Sequence, residues 1–242
     1  MTEPGQTATS PANPQPAASS RADGPGRDRS LGALLWFRLA QGILASLFAA
    51  VGGWRATGQS NIPKAGGTLL VANHNSFLDS FLVGIPLRRP MNFVARSTLF
   101  MIPVIGFLIR SLGGFPIQRE GMGASGLKET LRRLRNGGII TFFPEGTRSP
   151  DGELGPLKPG IAVLVSRARV PVVPAGIAGT FQAWPRTRLL PVPHPLRIHY
   201  GPPITPEELA GLDAASVTEV IRQRLEQAMA RAREGLARDL SA

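Results

Sequence analysis

The chain has 242 residues, of which 43% are apolar, so it is long enough to bury the core of one large domain. It contains no cysteine, which excludes disulfide frameworks, thiolate nucleophiles, cysteine-based zinc sites and iron–sulfur clusters. Its net charge of +11 favours partners that carry phosphate or an anionic membrane surface. Nucleic acid is not expected as a partner, because the sequence has neither zinc-finger spacing nor an aromatic-rich RNA-binding pattern.

The first 54 residues predict a tail followed by a membrane-associated helix. Residues 1–30 are rich in Pro, Gly, Ser, Thr and Ala, so they cannot offset the entropy of ordering and are expected to form a disordered tail. Residues 31–54 are almost wholly apolar and long enough to span a bilayer.

A single charge decides how this apolar helix is expected to meet the membrane. In a simple span Arg38 would lie about 11 Å inside the bilayer, at a cost of up to roughly 3 kcal/mol. Arg38 and Gln41 share one helical face and apolar side chains cover much of the rest, which favours a helix that lies in the interface. A buried packing helix and a secretory signal are the alternatives.

Residues 55–210 alternate between short apolar runs and helical periodicity. The predicted strands cover residues 68–72, 91–95, 115–118, 139–143, 170–177 and 196–200. The predicted helices cover residues 77–84, 125–136 and 159–168. Such alternation predicts an α/β fold with a mostly parallel central sheet flanked by helices.

Two further segments belong to this expected architecture. Residues 211–242 form a C-terminal unit with an Arg-rich helix at 213–236, which would cover the sheet or contact anionic lipid. Residues 99–109 are almost wholly apolar, but Pro103 and Gly106 interrupt them, so the segment is too broken to span a membrane. It predicts either a core element or an apolar wall beside a ligand site.

The stretch at 71–80, Val-Ala-Asn-His-Asn-Ser-Phe-Leu-Asp-Ser, places polar residues directly after a predicted strand. Ligands collect at the carboxyl ends of strands in open α/β sheets, so His74 is well placed for chemistry. One interpretation is structural, since Ser76 and Asp79 have the spacing of a capping box. The other is catalytic: a carboxylate on one imidazole nitrogen of His74 would make the other a general base. The pair alone leaves both open.

Three more motifs follow or form predicted strands. Residues 143–149, Phe-Pro-Glu-Gly-Thr-Arg-Ser, offer backbone amides, a hydroxyl and a guanidinium suited to phosphate oxygens, although an ordinary turn has a similar composition. Residues 113–119, Gly-Gly-Phe-Pro-Ile-Gln-Arg, end at Arg119, and a lone arginine at a strand end is usually a surface residue. Residues 170–177, Val-Pro-Val-Val-Pro-Ala-Gly-Ile, are most simply a core strand.

In this order and spacing the four motifs resemble those of the glycerolipid acyltransferases, the family that includes 1-acyl-glycerol-3-phosphate acyltransferase. The resemblance covers about residues 55–205, and its strongest parts are Asn73, His74 and Asp79 together with residues 143–149. The third motif departs from the family's Gly-x-x-Phe-Ile-Asp-Arg-like pattern, because Pro116 and Gln118 stand at the Phe and Asp positions. The departure falls in the segment that the resemblance associates with the acceptor.

The resemblance implies transfer of a fatty acyl group from a thioester, acyl-CoA or acyl carrier protein, to the free hydroxyl of a lysolipid. His74 would be the catalytic base and Asp79 would orient it. The residues implied in substrate binding are Asn73, Arg119, Glu145, Gly146, Thr147 and Arg148. No cofactor and no metal are expected, and His194 and His199 are expected to be structural.

The implied acceptor is 1-acyl-glycerol-3-phosphate, which would give phosphatidic acid. The alternatives are another lysophospholipid, a lyso-ornithine lipid or glycerol 3-phosphate, or a lipid-binding protein that keeps the fold without turnover. Because thioester donors are cytosolic and lysolipids are membrane-borne, the expected location is the cytoplasmic face of a membrane, the inner membrane in a bacterium. The apolar segment at 99–109 could then form the wall along which an acyl chain enters.

Overall fold

The computed structural model describes residues 31–50, 52–117 and 123–241. The predicted tail at 1–30 lies outside the described residues, and so does Arg119. The strands are β1 (Trp54–Thr57), β2 (Thr68–Ala72), β3 (Met91–Arg96), β4 (Gly114–Ile117), β5 (Ile139–Phe142), β6 (Val172–Ala178) and β7 (Leu196–Tyr200). The α-helices are α1 (Leu31–Ala50), α2 (Asp79–Leu82), α3 (Pro103–Ser111), α4 (Gly123–Arg135), α5 (Gly160–Ala168), α6 (Thr180–Ala183) and α7 (Ala214–Leu240).

The strands form one sheet in the order β1-β7-β6-β2-β5-β3-β4. Every neighbouring pair is parallel except β6 and β7, which confirms the predicted α/β fold with a mostly parallel sheet. Strand β2 is buried along its whole length, as its unbroken apolar character predicts for a central parallel strand. It lies between β6 and β5, so the segments that follow these three strands meet at one edge.

Helices cover both faces of the sheet. Leu69 and Val71 point into a core shared with α5 and α7, whereas Leu70 and Ala72 point into a core that includes Phe48 of α1. The alternation follows from the two-residue period of a strand. Helices α1 and α7 therefore lie on opposite faces of the molecule.

The C-terminal helix α7 is longer than predicted and covers the sheet, which is one of its two predicted positions. It begins after Asp213, whose carboxylate accepts a hydrogen bond from the Ser216 N–H at 2.7 Å. The helix packs so closely on β6 that a Cβ atom at Gly176 would overlap the main chain of Ala228. The close packing of α7 on β6 therefore requires a glycine at position 176.

Helix α1 turns its polar side chains toward the protein. Arg38 donates hydrogen bonds to the carbonyl oxygens of Leu87 at 3.4 Å and Arg88 at 2.6 Å, and Gln41 donates to the carbonyl oxygen of Gly84 at 2.8 Å. The outward stripe is apolar and consists of Leu31, Leu35, Leu39, Ile43 and Leu47. Among the described helices α1 alone is long and apolar enough to cross a membrane, which is weak support for membrane association.

The apolar segment at 99–109 folds as a short 3₁₀-helix, Ser97–Met101, followed by α3. Pro103 is the first residue of α3. The N–H group that a proline lacks would have no partner within the helix at this position. Phe100 is buried, but Met101 and Phe107 face outward, Phe107 with 68% of its surface exposed. The Trp36 indole donates a hydrogen bond to the Ser111 hydroxyl at 3.0 Å and so joins α1 to α3. The segment is therefore a core element only in part and otherwise adds exposed apolar side chains beside α1.

Candidate active site

The candidate site lies at the carboxyl ends of β2 and β5, where open α/β sheets bind their ligands. His74 follows β2 by two residues, and the segment 143–149 follows β5 directly. Because these strands are parallel neighbours, their following segments lie side by side. The fold thus brings together two motifs that are 64 residues apart in the sequence, counted from Asp79 to Phe143.

His74 and Asp79 form a hydrogen-bonded pair. The Nδ1 atom of His74 lies 3.0 Å from Oδ2 of Asp79, which is fully buried, while 17% of the His74 side chain is exposed. The same carboxylate oxygen accepts hydrogen bonds from the N–H groups of Asn75 and Ser76, both at 2.6 Å. Since a carboxylate only accepts, the proton of the His74 bond lies on Nδ1, and Nε2 carries the free lone pair.

The structural interpretation of this stretch is also partly correct. Asp79 reaches back to the N–H of Ser76, as the acidic member of a capping box does. The Ser76 hydroxyl does not complete the box: it accepts a hydrogen bond from the Leu78 N–H at 3.3 Å and donates to the Trp184 carbonyl at 2.8 Å. Helix α2 begins only at Asp79 and is shorter than predicted. One carboxylate therefore shapes the turn and orients the imidazole at once.

The segment 143–149 is fastened to the main chain of His74 from both sides. The His74 N–H donates a hydrogen bond to Oε1 of Glu145 at 2.8 Å, and the His74 carbonyl accepts one from the Ser149 N–H at 2.7 Å. The Phe143 ring stacks on the imidazole with 4.1 Å between ring centroids. The sequence indicated a binding loop here, but it did not indicate that the loop holds the histidine in place.

Glu145, which the sequence places among the acceptor-binding residues, makes main-chain contacts with both of its carboxylate oxygens. Its side chain is buried, with 5% exposure, and its second oxygen, Oε2, accepts a hydrogen bond from the Gly155 N–H at 3.0 Å. Burial raises the pKa of this carboxyl, and the hydrogen bonds from the His74 and Gly155 amides oppose that rise. Both oxygens of Glu145 therefore have main-chain partners, and the carboxylate holds this loop against the main chain of His74. Its predicted part in binding the acceptor stays a prediction.

Asn73, which was also predicted to take part in substrate binding, is hydrogen-bonded to the main chain of β6. It is fully buried, its Nδ2 donates to the carbonyl oxygen of Ile177 at 3.0 Å, and its Oδ1 accepts from the Ile177 N–H at 2.8 Å. The amide thus continues the ladder between β2 and β6 beyond the last strand residue. Asn73 fixes the end of β2, from which His74 projects.

The tip of the loop is open to a ligand, and two cations lie beside it. Gly146 and Thr147 are exposed, and Gly146 has a positive φ of 69° that favours glycine. The Arg148 guanidinium lies 3.9 Å from the centroid of the Phe77 ring. The exposed side chain of Lys158 runs over Gly146, where an added Cβ would come within 2.8 Å of its Cε atom.

Lys158 is a candidate that sequence reasoning missed. It stands alone between Leu157 and Pro159, just before α5, and no spacing in the sequence connects it to residues 143–149. Its N–H bonds to the carbonyl oxygen of Pro144 at 2.9 Å, which brings the two segments together in the fold. Arg119, the other predicted cation, lies outside the described residues.

The remaining histidines make local contacts. Nδ1 of His194 lies 2.9 Å from the carbonyl oxygen of Pro195, and Nδ1 of His199 lies 2.9 Å from the Thr57 hydroxyl. Burial, and then the charge of Arg231, lower the pKa of His199. Within the described ranges no three His, Cys, Asp or Glu side chains come close enough to hold a metal ion. The expectation of chemistry without a metal stays a prediction.

Known proteins similar to this chain agree with the motif pattern. A family model described as "Acyltransferase" matches residues 54–178. The chloroplastic 1-acyl-sn-glycerol-3-phosphate acyltransferase of Brassica napus is 36% identical over 131 residues, which cover 53% of this chain and 38% of that protein. The chain thus spans well under half the length of this plant relative.

Two bacterial proteins match over more of their length. The 1-acyl-sn-glycerol-3-phosphate acyltransferase of Bacillus subtilis is 25% identical over 196 residues, which cover 79% of this chain and 96% of that protein. The crystal structure of the 1-acyl-sn-glycerophosphate acyltransferase PlsC from Thermotoga maritima superposes with a TM-score of 0.70 at 28% identity and covers 83% of both chains. The fold is therefore shared with a protein of this name.

Proposed function

Because this chain belongs to the acyltransferase family, we propose that it transfers a fatty acyl group from a thioester to the free hydroxyl of 1-acyl-glycerol-3-phosphate, giving phosphatidic acid. The observation that carries the proposal is a single juxtaposition. A histidine oriented by a buried carboxylate lies against a loop whose open tip is flanked by the cations Arg148 and Lys158. The names of the similar proteins from Bacillus subtilis and Thermotoga maritima support the same substrate.

His74 is the base of the proposed reaction. Its Nε2 takes the proton of the acceptor hydroxyl while the oxygen attacks the thioester carbonyl. The tetrahedral intermediate then collapses, the carbon–sulfur bond breaks, and the imidazolium returns its proton to the departing thiolate. Asp79 stabilises the transient positive charge on His74 through the Nδ1 bond at 3.0 Å. The acyl group passes directly to the acceptor, which agrees with a chain that contains no cysteine nucleophile.

The phosphate of the acceptor is assigned to the loop tip. Gly146 and Thr147 are exposed, Arg148 next to them carries a planar guanidinium, and Lys158 carries an exposed ammonium. Glu145 holds this tip against His74, so the distance from phosphate to base is set by the protein. Arg119 is proposed as a further phosphate ligand on the strength of the family motif alone.

The donor is proposed to be acyl-CoA or acyl carrier protein, and no cofactor takes part. We place the protein on the cytoplasmic face of a membrane, with the outward apolar stripe of α1 in the interface. The stripe runs along one side of the helix at four-residue intervals, and Met101, just before α3, and Phe107, within it, add exposed apolar side chains. Arg38 faces the protein instead of lipid, so the helix enters the interface without burying a charge in it.

The proposed chemistry is tested by replacing the base. His74→Ala should lower the turnover number by at least about 10²-fold, the lower end of what a general base contributes, while the melting temperature changes little. Release of the thiol can be followed with a thiol-reactive dye, since a protein without cysteine gives no background. His199→Ala, a histidine within β7, is the matched control and should keep its activity. Turnover by His74→Ala close to that of the wild type would refute the mechanism and leave lipid binding without turnover as the function.

The acceptor is tested by removing its proposed phosphate ligand. Arg148→Gln should raise the Michaelis constant for 1-acyl-glycerol-3-phosphate about tenfold or more, the loss expected for one charge-assisted pair. A panel should include a lysolipid without a phosphate monoester, whose Michaelis constant should not change. Equal effects on both acceptors would contradict a phosphate site at the loop tip.

The membrane contact is tested by changing its surface charge. Leu39 in the apolar stripe is 56% exposed, and Val163 on α5, on the opposite face, is 45% exposed. Leu39→Glu should reduce sedimentation with anionic vesicles, whereas Val163→Glu should not. Equal sedimentation of the two variants would show that α1 is not the membrane contact.

A further inference from the structure

A groove of about 210 Å³ lies between the outer strands β1 and β7 and the C-terminal helix α7. Arginine side chains from all three elements line it: Arg55 on β1, Arg197 on β7, and Arg231 and Arg238 on α7. We call it the arginine groove. None of these residues belongs to the His74 site or to the four motifs.

The strand pattern explains why the arginines meet here. Arg55 and Arg197 are partners in the parallel pairing of β1 and β7. Their neighbours Leu196 and Ile198 point into the core on the α1 face, so Arg55 and Arg197 point to the opposite face, beneath α7. On α7, residues 231, 235 and 238 share one side because they are four and three positions apart. Gly235 leaves the space open, since a Cβ there would lie 3.8 Å from Nε of Arg197.

The groove carries more positive than negative charge. Asp239 pairs with Arg197 and lies 3.8 Å from Arg55, and Glu234 lies 3.1 Å from Arg231. Four guanidinium groups against these two carboxylates leave an excess of two positive charges. Arg238 makes no ion pair with any described residue, so its charge is not balanced locally by a carboxylate.

A second observation indicates that the groove lacks an acceptor. The Arg197 side chain is only 11% exposed, and its Nε–H is buried without a hydrogen-bond partner among the described residues. A buried donor of this kind costs free energy unless an acceptor satisfies it. An anion that enters between the arginines would supply that acceptor.

We propose that the arginine groove binds a phosphate or diphosphate group of a soluble molecule. Guanidinium forks match phosphate oxygens in geometry and charge. The volume of about 210 Å³ is below the range of roughly 300–1,000 Å³ that is usual for whole small-molecule ligands, so the groove takes the phosphate group and leaves the rest of the molecule outside. The groove lies on the face opposite α1, where a bilayer in contact with the apolar stripe does not reach, and this favours a soluble source over a lipid headgroup.

The test measures binding of inorganic pyrophosphate to the full chain by titration calorimetry. The Arg148→Gln background removes a cation from the proposed acceptor site, so that the groove dominates the signal. Arg231→Gln/Arg238→Gln should weaken binding about tenfold or more, because two charge-assisted contacts are lost. Arg224→Gln is the matched control on the same helix, since it also loses one exposed ion pair, with Glu208, but does not line the groove.

A further variant should change the affinity for pyrophosphate in the opposite direction. Asp239→Asn removes the carboxylate that pairs with Arg197, so pyrophosphate should bind more tightly. Thermal melts of each variant establish that it is folded. The proposal is overturned if the protein with an unchanged groove shows no saturable binding of pyrophosphate. It is also overturned if the double variant binds pyrophosphate as tightly as Arg224→Gln does.

A vesicle arm separates the two sources of phosphate. Sedimentation with phosphatidylglycerol vesicles should be the same for Arg231→Gln/Arg238→Gln and Arg224→Gln. A selective loss of vesicle binding in the double variant would overturn the assignment to a soluble molecule. These outcomes do not depend on acyl transfer, so failure here leaves the proposed function standing, and the reverse also holds.

Discussion

Replacing Asp79 by asparagine changes the charge at the proposed base while the surrounding structure dictates how the new amide is oriented. Three donors converge on Oδ2 of Asp79: Nδ1 of His74 at 3.0 Å and the N–H groups of Asn75 and Ser76 at 2.6 Å. Only the oxygen of an asparagine amide can face three donors. The variant should therefore keep the His74 tautomer while the negative charge beside it is lost.

The magnitude follows from that missing charge. When His74 takes a proton, a carboxylate and an imidazolium about 4 Å apart attract each other by roughly 4 kcal/mol at an effective dielectric constant of about 20. A loss of about 4 kcal/mol of transition-state stabilisation corresponds to a fall of about 10³-fold in rate. We expect Asp79→Asn to lower the turnover number by about this factor.

The same substitution should also destabilise the fold. Oδ1 of Asp79 is buried without a hydrogen-bond partner among the described residues, and the amide nitrogen of asparagine would take its place. A buried NH₂ group without acceptors costs about 1–3 kcal/mol, which urea unfolding can resolve. Asp213→Asn, which changes an exposed N-cap of α7 in the same way, should have little effect on stability.

A double variant tests whether the two residues act as a unit. In the His74→Ala background, Asp79→Asn should cause no further loss of activity, because the charge has no imidazolium left to stabilise. The reasoning is refuted if Asp79→Asn alone, in folded protein, loses less than about tenfold in turnover number. It is equally refuted if the losses of the two single variants multiply in the double variant.

Two predictions concern stability. Because burial raises the pKa of Glu145 above its usual value of 4.5, the folded state holds this proton more tightly than the unfolded state does. The stabilisation from Glu145 should be complete below about pH 4.5 and should be lost as the pH rises through the higher pKa of the folded state. Urea unfolding over that pH range should therefore show that the wild type loses stability relative to Glu145→Gln. Gly176→Ala should lower the free energy of unfolding by about 3 kcal/mol, because its methyl group would overlap the main chain of Ala228, whereas Gly160→Ala, with open space around it, should be neutral or slightly stabilising. Equal melting temperatures for the two alanine variants would contradict the close contact of β6 and α7.

The sequence predicted elements well where an apolar run has sharp ends. The bounds of β2 and β7 agree with prediction to the residue, since each run is flanked by glycine, proline or asparagine. Strand β1 was not predicted, because it has four residues that alternate between half-buried and exposed and contains Arg55. Its stability comes from pairing with β7, which is 142 residues away at Thr57 and His199, and such pairing is invisible to local pattern.

The sequence predicted that the His74 and Asp79 side chains can meet, but not the contacts that support them. A histidine in the turn after a strand and an aspartate in the first helical turn can meet at an offset of five residues, and the structure confirms this one of the two interpretations with a distance of 3.0 Å. The roles of Asn73 and Glu145 depend on strand order: β2 lies between β6 and β5, so Asn73 reaches Ile177 and Glu145 reaches His74. No spacing in one sequence specifies which strands are neighbours, so these contacts were not predictable. The substrate-binding roles that the resemblance implies for both residues stay predictions.

The contacts around His74 hold the proposed base in one position. Asn73 ties the end of β2 to β6, Glu145 and Ser149 hold the peptide of His74 on the β5 side, and Phe143 stacks on its ring. The imidazole is therefore fixed from both neighbouring strands before any substrate arrives, and little reorganisation remains for the reaction to supply. The exposed apolar side chains of α1 and α3 are where the acyl chains would enter. Changes at Leu39 should therefore alter access and apparent Michaelis constant, whereas changes at Glu145 should alter the turnover number at saturating substrate.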